Sequence, residues 1–255
     1  MRRPWAVLGA VALLAACSRP EDAPAVRVAD TLTGGLTVFA AASLADAFTD
    51  AEAVIEREHR GLSITFNFAG SQILVQQITE GAPADVVATA DTKTMDEMVA
   101  AGLVERPAVL ARNTLVIAVE PGNPEGITGL ADLARPDLAV VLADPSVPVG
   151  AYAAAALDHA GVTVRPKSFE LDVKAALAKV TAGEADAAIV YATDVTAAKG
   201  RAASVAVADA DNQVVTYPIA VVRATAHKGA ARELVTELAR GRGRASLRAH
   251  GFLLR

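Results

Sequence analysis

Ser43, Ser71, Val149, Val173 and Tyr191 are the positions at which this chain can present hydrogen-bond donors from the ends of regular elements. Ser43 follows an apolar run and three alanines. It precedes a stretch in which Leu44, Ala47, Phe48, Ala51, Val54 and Ile55 recur at helical spacing, so it is expected near the N-cap of a helix. Asp46, three residues on, gives the spacing of a capping box with Asp in place of Glu. Ser71 opens a second helical stretch behind Gly70, a residue that lets another backbone approach closely. Pro148-Val149-Gly150 and Asp172-Val173-Lys174 begin two more helices, and the N–H groups of Val149, Gly150 and Val173 have no acceptor within them. Tyr191 ends an apolar strand and can aim a phenolic donor at a cleft. Helix starts also carry the positive end of a dipole, so the set suits an anion. A fully ionised oxyanion such as molybdate, tungstate or sulfate needs only donors, whereas phosphate at neutral pH keeps a proton and benefits from a carboxylate acceptor. Each position alone also fits a plainer role, the serines as caps and the tyrosine as core.

The elements that must position these groups alternate between strand and helix. Residues 36–39 are a short, uncharged, β-rich run, and 62–68 alternates its faces; both read as strands. A helix over 72–80 stops at Gly81-Ala82-Pro83. A strand over 85–90 leads to a helix carrying Met95, Met98 and Val99, capped by Asp91 or Thr92. Further strands are expected at 115–119, 138–142, 187–191 and 217–222. An alanine-rich helix ends at Gly161, one from Asp172 reaches Ala182 with Gly183 as its left-handed stop, and two C-terminal helices break at 241–243. Such alternation predicts an α/β fold with mixed, mostly parallel sheets. Ligands in such folds bind beyond the carboxyl ends of the strands, where all five positions fall.

At the start of the chain, Arg2 and Arg3 precede an apolar run over 5–16. It is too short to span a membrane but fits the core of a secretory signal. The run ends Leu14-Ala15-Ala16-Cys17, similar to a bacterial lipoprotein signal in which the cysteine is lipidated. Residues 1–17 are thus expected to be signal and lipidation site, and Cys17, the only cysteine, excludes an intrachain disulfide. Residues 18–35 mix prolines, charges and glycines without periodicity and read as a tether. Formal net charge is −5, and loss of 1–16 removes Arg2 and Arg3 and no acid, giving −7. That excludes nucleic acid as an expected partner and leaves any anion to local donors.

Six runs carry a resemblance. They are Val38-Phe39-Ala40-Ala41-Ala42-Ser43-Leu44, Gly81-Ala82-Pro83-Ala84-Asp85, Val147-Pro148-Val149-Gly150-Ala151-Tyr152, Asp172-Val173-Lys174-Ala175-Ala176-Leu177, Ile189-Val190-Tyr191 and Tyr217-Pro218-Ile219-Ala220-Val221-Val222. From 36 to 252 the chain resembles the periplasmic molybdate-binding proteins of molybdate ABC importers, here in a lipoprotein form. The resemblance implies the two-lobed type II periplasmic-binding-protein fold, with the ligand cleft between a lobe of 36–112 plus 219–255 and a lobe of 113–218. It carries the family's serine ligands to Ser43 and Ser71, its main-chain donors to Val149 (often alanine in the family) and Val173, and its tyrosine ligand to Tyr191. Function then follows as capture of molybdate or tungstate by a monomer anchored through Cys17 on the extracytoplasmic face of a membrane. The permease and ATPase of the importer are the partners, with no catalysis, cofactor or free metal cation. Other readings are a sulfate or phosphate binder, an extracytoplasmic sensor of the same fold, or an exported hydrolase using Ser43 or Ser71. The hydrolase lacks a Gly-x-Ser-x-Gly elbow, and His59, His159, His227 and His250 follow no motif. No His/Cys/carboxylate run has metal-ligand spacing.

Overall fold

The structure, a computed structural model, describes Met1 and residues 32–254; the expectations for the signal segment, Cys17 and most of the 18–35 tether lie outside those residues. Two five-stranded sheets organise the chain. The first contains β1 (Gly34–Ala41), β2 (Leu62–Ala69), β3 (Val86–Ala88), β4 (Ala108–Asn113) and β10 (Val215–Val221), in the order β2-β1-β3-β10-β4. The second contains β5 (Leu115–Val119), β6 (Val140–Ala143), β7 (Ser168–Glu170), β8 (Ala187–Tyr191) and β9 (Ala203–Ala206), in the order β7-β6-β8-β5-β9. Each sheet with its helices makes one lobe of an α/β fold. The helices are α1 (Ala45–Glu58), α2 (Ser71–Thr79), α3 (Thr92–Ala100), α4 (Pro148–His159), α5 (Val173–Thr181), α6 (Ala192–Ala197), α7 (Lys228–Ala239) and α8 (Gly243–Ala249).

The sheets are mixed more evenly than strand–helix alternation suggests. In the first, β2-β1 and β1-β3 are parallel while β10 runs antiparallel to both β3 and β4. In the second, β7-β6 and β6-β8 are parallel while β5 runs antiparallel to β8 and β9. β5 and β10 are the strands that enter a new sheet, and a crossing strand is free to run against its neighbours. Four elements lacked a signal in the sequence: β4, β7, β9 and α6, all of six residues or fewer. Two boundaries also move. β1 begins at Gly34, paired with Leu62, so the last two residues assigned to the tether are strand. The second lobe was expected to run to Pro218, but β10 pairs with β4 from Val215 onward, so 215–218 belong to the first sheet. Proline is tolerated inside this strand because the register shifts at Tyr217/Pro218, where a bulge removes the need for its missing N–H.

Alternation along β1 explains how one sheet serves two cores. Val38 and Ala40 face one cluster with Phe48 and Ile55 of α1 and Leu234 of α7. Phe39 faces the other with Leu74, Ile78, Met95 and Met98 of α2 and α3. Clamped on both faces, the carboxyl end of β1 is a firm platform for the residues that follow.

Candidate functional site

Five of the parallel strands, β1, β2, β6, β7 and β8, deliver their carboxyl ends to one small space between the sheets. Ser43, Ser71, Val149, Val173 and Tyr191 all line it, around a cavity of about 10 Å³. That lies below the several hundred Å³ of a pocket for a drug-sized ligand, so it suits a small inorganic or few-atom solute. All five residues are buried.

The hydroxyls are oriented by what they accept. Ser71 is the first residue of α2, and its Oγ accepts from the Ala90 N–H at 3.0 Å. With that lone pair engaged, the Ser71 proton is free to point elsewhere. Ser43 corrects an expectation. Ala42–Leu44 forms a 3₁₀ turn, α1 starts at Ala45, and Leu44 occupies the N-cap. Ser43 therefore caps nothing and forms no box with Asp46; its Oγ lies 3.0 Å from the Tyr217 hydroxyl. The tight turn drives the serine inward where a direct strand-to-helix step would have put it over the first turn of the helix.

The backbone donors arise as the sequence suggests. Pro148 occupies the first position of α4, whose first backbone bond runs from Ala151 N to Val147 O, so the Val149 and Gly150 N–H groups sit in the unbonded first turn. Gly150 is required there: a Cβ would lie 2.1 Å from Asp144 O and 2.5 Å from Ala143 O. Asp172 caps α5 by accepting from Ala175 N at 2.9 Å, which turns that carboxylate oxygen onto the helix and leaves the Val173 N–H at its start.

Tyr191 closes the set. Its side chain is 1% exposed and its hydroxyl is a buried polar atom with no hydrogen-bond partner in the protein. Its ring meets Tyr217 edge-on at 5.7 Å. Burial, helped by the neighbouring tyrosines and Asp194, pushes the Tyr191 hydroxyl well above the usual tyrosine range, so it keeps its proton and remains a donor. A buried, unsatisfied hydroxyl costs free energy unless something fills the space before it. The arrangement is thus a small cage whose donors are uncharged, and the carboxylate in its lining, Asp172, has one oxygen engaged by the Ala175 N–H of its own helix; the donor set suits a small anion.

The sequence pattern described as bacterial extracellular solute-binding protein matches residues 36–253. The chain belongs to this family. It is 40% identical over 245 residues to the molybdate-binding protein ModA of Mycobacterium tuberculosis, spanning 95% of this chain and 93% of that one. It is 30% identical over 234 residues to the putative ABC transporter substrate-binding lipoprotein YvgL of Bacillus subtilis, spanning 89% and 88%. Its fold is similar to that of the periplasmic molybdate-binding protein of Azotobacter vinelandii, with a TM-score of 0.75 over 86% of this chain and 99% of that one at 19% identity.

For a solute-binding protein, the contacts around the cavity matter as much as its lining, and the sequence did not reveal them. At one side Gln72 Nε2, on α2, donates to Leu171 O, beside α5, at 3.1 Å. At another, Lys174 of α5 makes a short ion pair with Asp46 of α1, and its ammonium stands 3.8 Å from Asp194 Oδ1. Burial raises Asp46, but the bond and charge of Lys174 outweigh it and hold the carboxyl below its usual range. Asp194 is buried outright: burial pushes it up to about 7, against the Lys174 charge and the bond from Tyr191 N–H. The Asp46–Lys174 pair is partly exposed and contributes modestly, but it ties the start of α1 to the start of α5 across the sheets.

A nucleophilic role for the serines finds no support in these partners. Ser43 is bonded to a tyrosine and Ser71 to a backbone N–H, so neither hydroxyl is held by a base. His159 pairs with Asp211 at 2.7 Å on the exposed surface, away from both serines. Among the described residues no group of three or more His, Cys, Asp or Glu could hold a metal ion.

Proposed function

We propose that this protein captures molybdate, and tungstate as well, in the cavity between its lobes and delivers it to the permease and ATPase of an ABC importer. The observation that carries the reading is the buried Tyr191 hydroxyl without a protein partner, facing a cavity lined also by Ser43 and Ser71 and by the helix starts at Val149 and Val173. Ser43, Ser71 and Tyr191 would donate through hydroxyls and Val149 and Val173 through backbone N–H groups. The lobes are taken as 36–112 with 215–255, and the intervening segment 113–214. The mycobacterial relative, molybdate-binding by name and 40% identical over nearly the whole chain, supports molybdate over other oxyanions. Calorimetry with molybdate, tungstate, sulfate and phosphate tests the choice. Molybdate and tungstate are expected to bind far tighter, because a smaller tetrahedron cannot reach all donors of a fixed cage at once. Sulfate binding as tight as molybdate would overturn the assignment.

The role is binding and transport rather than catalysis, with no cofactor. The protein acts as a monomer, lipidated at Cys17 and held on the extracytoplasmic face of a membrane. The Leu14-Ala15-Ala16-Cys17 run and the Bacillus relative's description as a lipoprotein support the anchor. Buried acyl carbons contribute about 0.8 kcal/mol each, so more than one chain makes a stable anchor. Cys17→Ser is expected to move the protein from the membrane fraction to the soluble fraction. Unchanged partitioning would remove the anchor from the proposal.

A further inference from the structure

Tyr217 does not line the cavity, yet it is fully buried one hydroxyl behind it. Its ring is fixed edge-on by Tyr191 at 5.7 Å and by Phe252 at 5.4 Å. Its oxygen lies 3.0 Å from Ser43 Oγ and receives a long bond, 3.4 Å, from Asn113 Nδ2. Asn113 ends β4, beside the chain's first passage between the sheets, and Tyr217 lies on β10, just after the return. The orientation of the Asn113 amide is set by two other bonds. Its Oδ1 accepts from Thr114 N at 3.0 Å, and its Nδ2 donates to Thr193 Oγ1, on α6, at 2.8 Å. The amide therefore presents N–H, not C=O, to Tyr217.

Of the two directions open to the Tyr217–Ser43 bond, one leaves the Ser43 proton for the cavity. Asn113 donates to Tyr217, Tyr217 donates to Ser43, and the Ser43 proton is left to face the cavity. We infer that Tyr217, itself aligned by Asn113, is a positioning residue that makes Ser43 a donor toward the bound anion. The inference rests on the reading of Ser43 as a ligand of that anion. It also extends to selectivity. With its proton turned to the cavity and one of its two lone pairs taken by Tyr217, Ser43 faces the anion as a donor and is a poorer acceptor for a partly protonated anion such as hydrogenphosphate. Ser71 is in a similar condition, one of its two lone pairs being taken by Ala90 N–H.

The test is a double-mutant cycle in molybdate affinity, measured by calorimetry on Ser43→Ala, Tyr217→Phe and the pair. Tyr217→Phe keeps the ring packing and removes only the proton that fixes Ser43. The serine hydroxyl then samples three staggered positions, of which one serves the anion. Roughly three- to tenfold weaker binding is expected, with little further loss when Tyr217→Phe is added to Ser43→Ala. Phosphate at millimolar concentration is expected to compete better against molybdate in Tyr217→Phe than in the unmodified protein, a change that loosened packing alone would not produce. Asn113→Ala provides a second route, with a smaller loss that likewise vanishes in the Ser43→Ala background. Normal affinity in Ser43→Ala would overturn both the site and this inference. A weakened Ser43→Ala with normal Tyr217→Phe, or losses that simply multiply, would overturn this inference alone.

Discussion

Tyr191→Phe is expected to weaken molybdate binding by roughly 10- to 150-fold while leaving the ligand-free protein as stable as before. Hydrogen bonds to a charged group contribute about 1.5–3 kcal/mol, and each 1.4 kcal/mol is a factor of ten. The unusual part is the stability. The Tyr191 hydroxyl has no partner in the protein, so removing it breaks no internal bond and leaves the ring and its packing undisturbed. Ser71→Ala is expected to lose binding to a similar extent but to pay differently. It deletes the acceptor of Ala90 N–H and leaves that buried donor unsatisfied, at about 1–3 kcal/mol of stability. Val149→Ala and Val173→Ala serve as controls. They keep the backbone N–H, so binding is expected to change by well under tenfold, with a stability loss from two buried methyl groups each, about 0.8 kcal/mol per group before any cavity. Molybdate titrations paired with melting curves of the ligand-free variants separate these outcomes. Wild-type affinity in both Tyr191→Phe and Ser71→Ala would refute the cage.

The contrast between these residues shows what a sequence can disclose. That Ser43, Ser71, Val149, Val173 and Tyr191 would share one cavity was legible because each sits where an apolar strand meets small residues or a helix start. Parallel strands in an α/β fold send those junctions to the same side. What brings Ser43 into line was not legible, because its partner lies 174 residues away, and Tyr217 reaches Asn113 over 104. No local pattern announces such a pair; Tyr217 stood only at the head of a run resembling the family, without a role. The reading of Ser43 as a cap failed for a related reason. Ser-x-x-Asp has the spacing of a capping box, but here a 3₁₀ turn precedes α1, and Asp46 is drawn instead to Lys174, 128 residues on. Strand direction was similarly hidden. Hydrophobic periodicity marks β5 and β10 as strands, but their antiparallel pairing is decided by where the chain crosses between sheets.

Gly70→Ala is expected to fold normally and yet bind molybdate roughly 5- to 150-fold more weakly, because it obstructs the approach of the lobes. The backbone at Gly70 has φ −59° and ψ 140°, a conformation any L residue adopts, so alanine brings no strain within its own lobe. Its smaller unfolded-state entropy stabilises by about 0.4–1 kcal/mol, which offsets the poorer N-cap that alanine makes for α2. The conflict is across the cavity. A Cβ at Gly70 would lie 2.6 Å from Leu171 O, which belongs to the opposite lobe's backbone, and 2.6 Å from the end of the Gln72 side chain. Gln72 can swing aside, but Leu171 O sits one residue before the Asp172 cap that holds α5, so it yields only if the lobes stop short or the start of α5 shifts. Overpacking of this kind costs about 1–3 kcal/mol, and either relaxation draws the Val173 N–H away from Ser71. Gln72→Ala is the control, since it removes the bond to Leu171 O without adding bulk, and it is expected to weaken binding by less than tenfold. Small-angle scattering with and without molybdate reads closure directly. The unmodified protein should contract on binding and Gly70→Ala should contract less. A Gly70→Ala protein that contracts fully and binds as tightly as the original would show that closure does not depend on this contact.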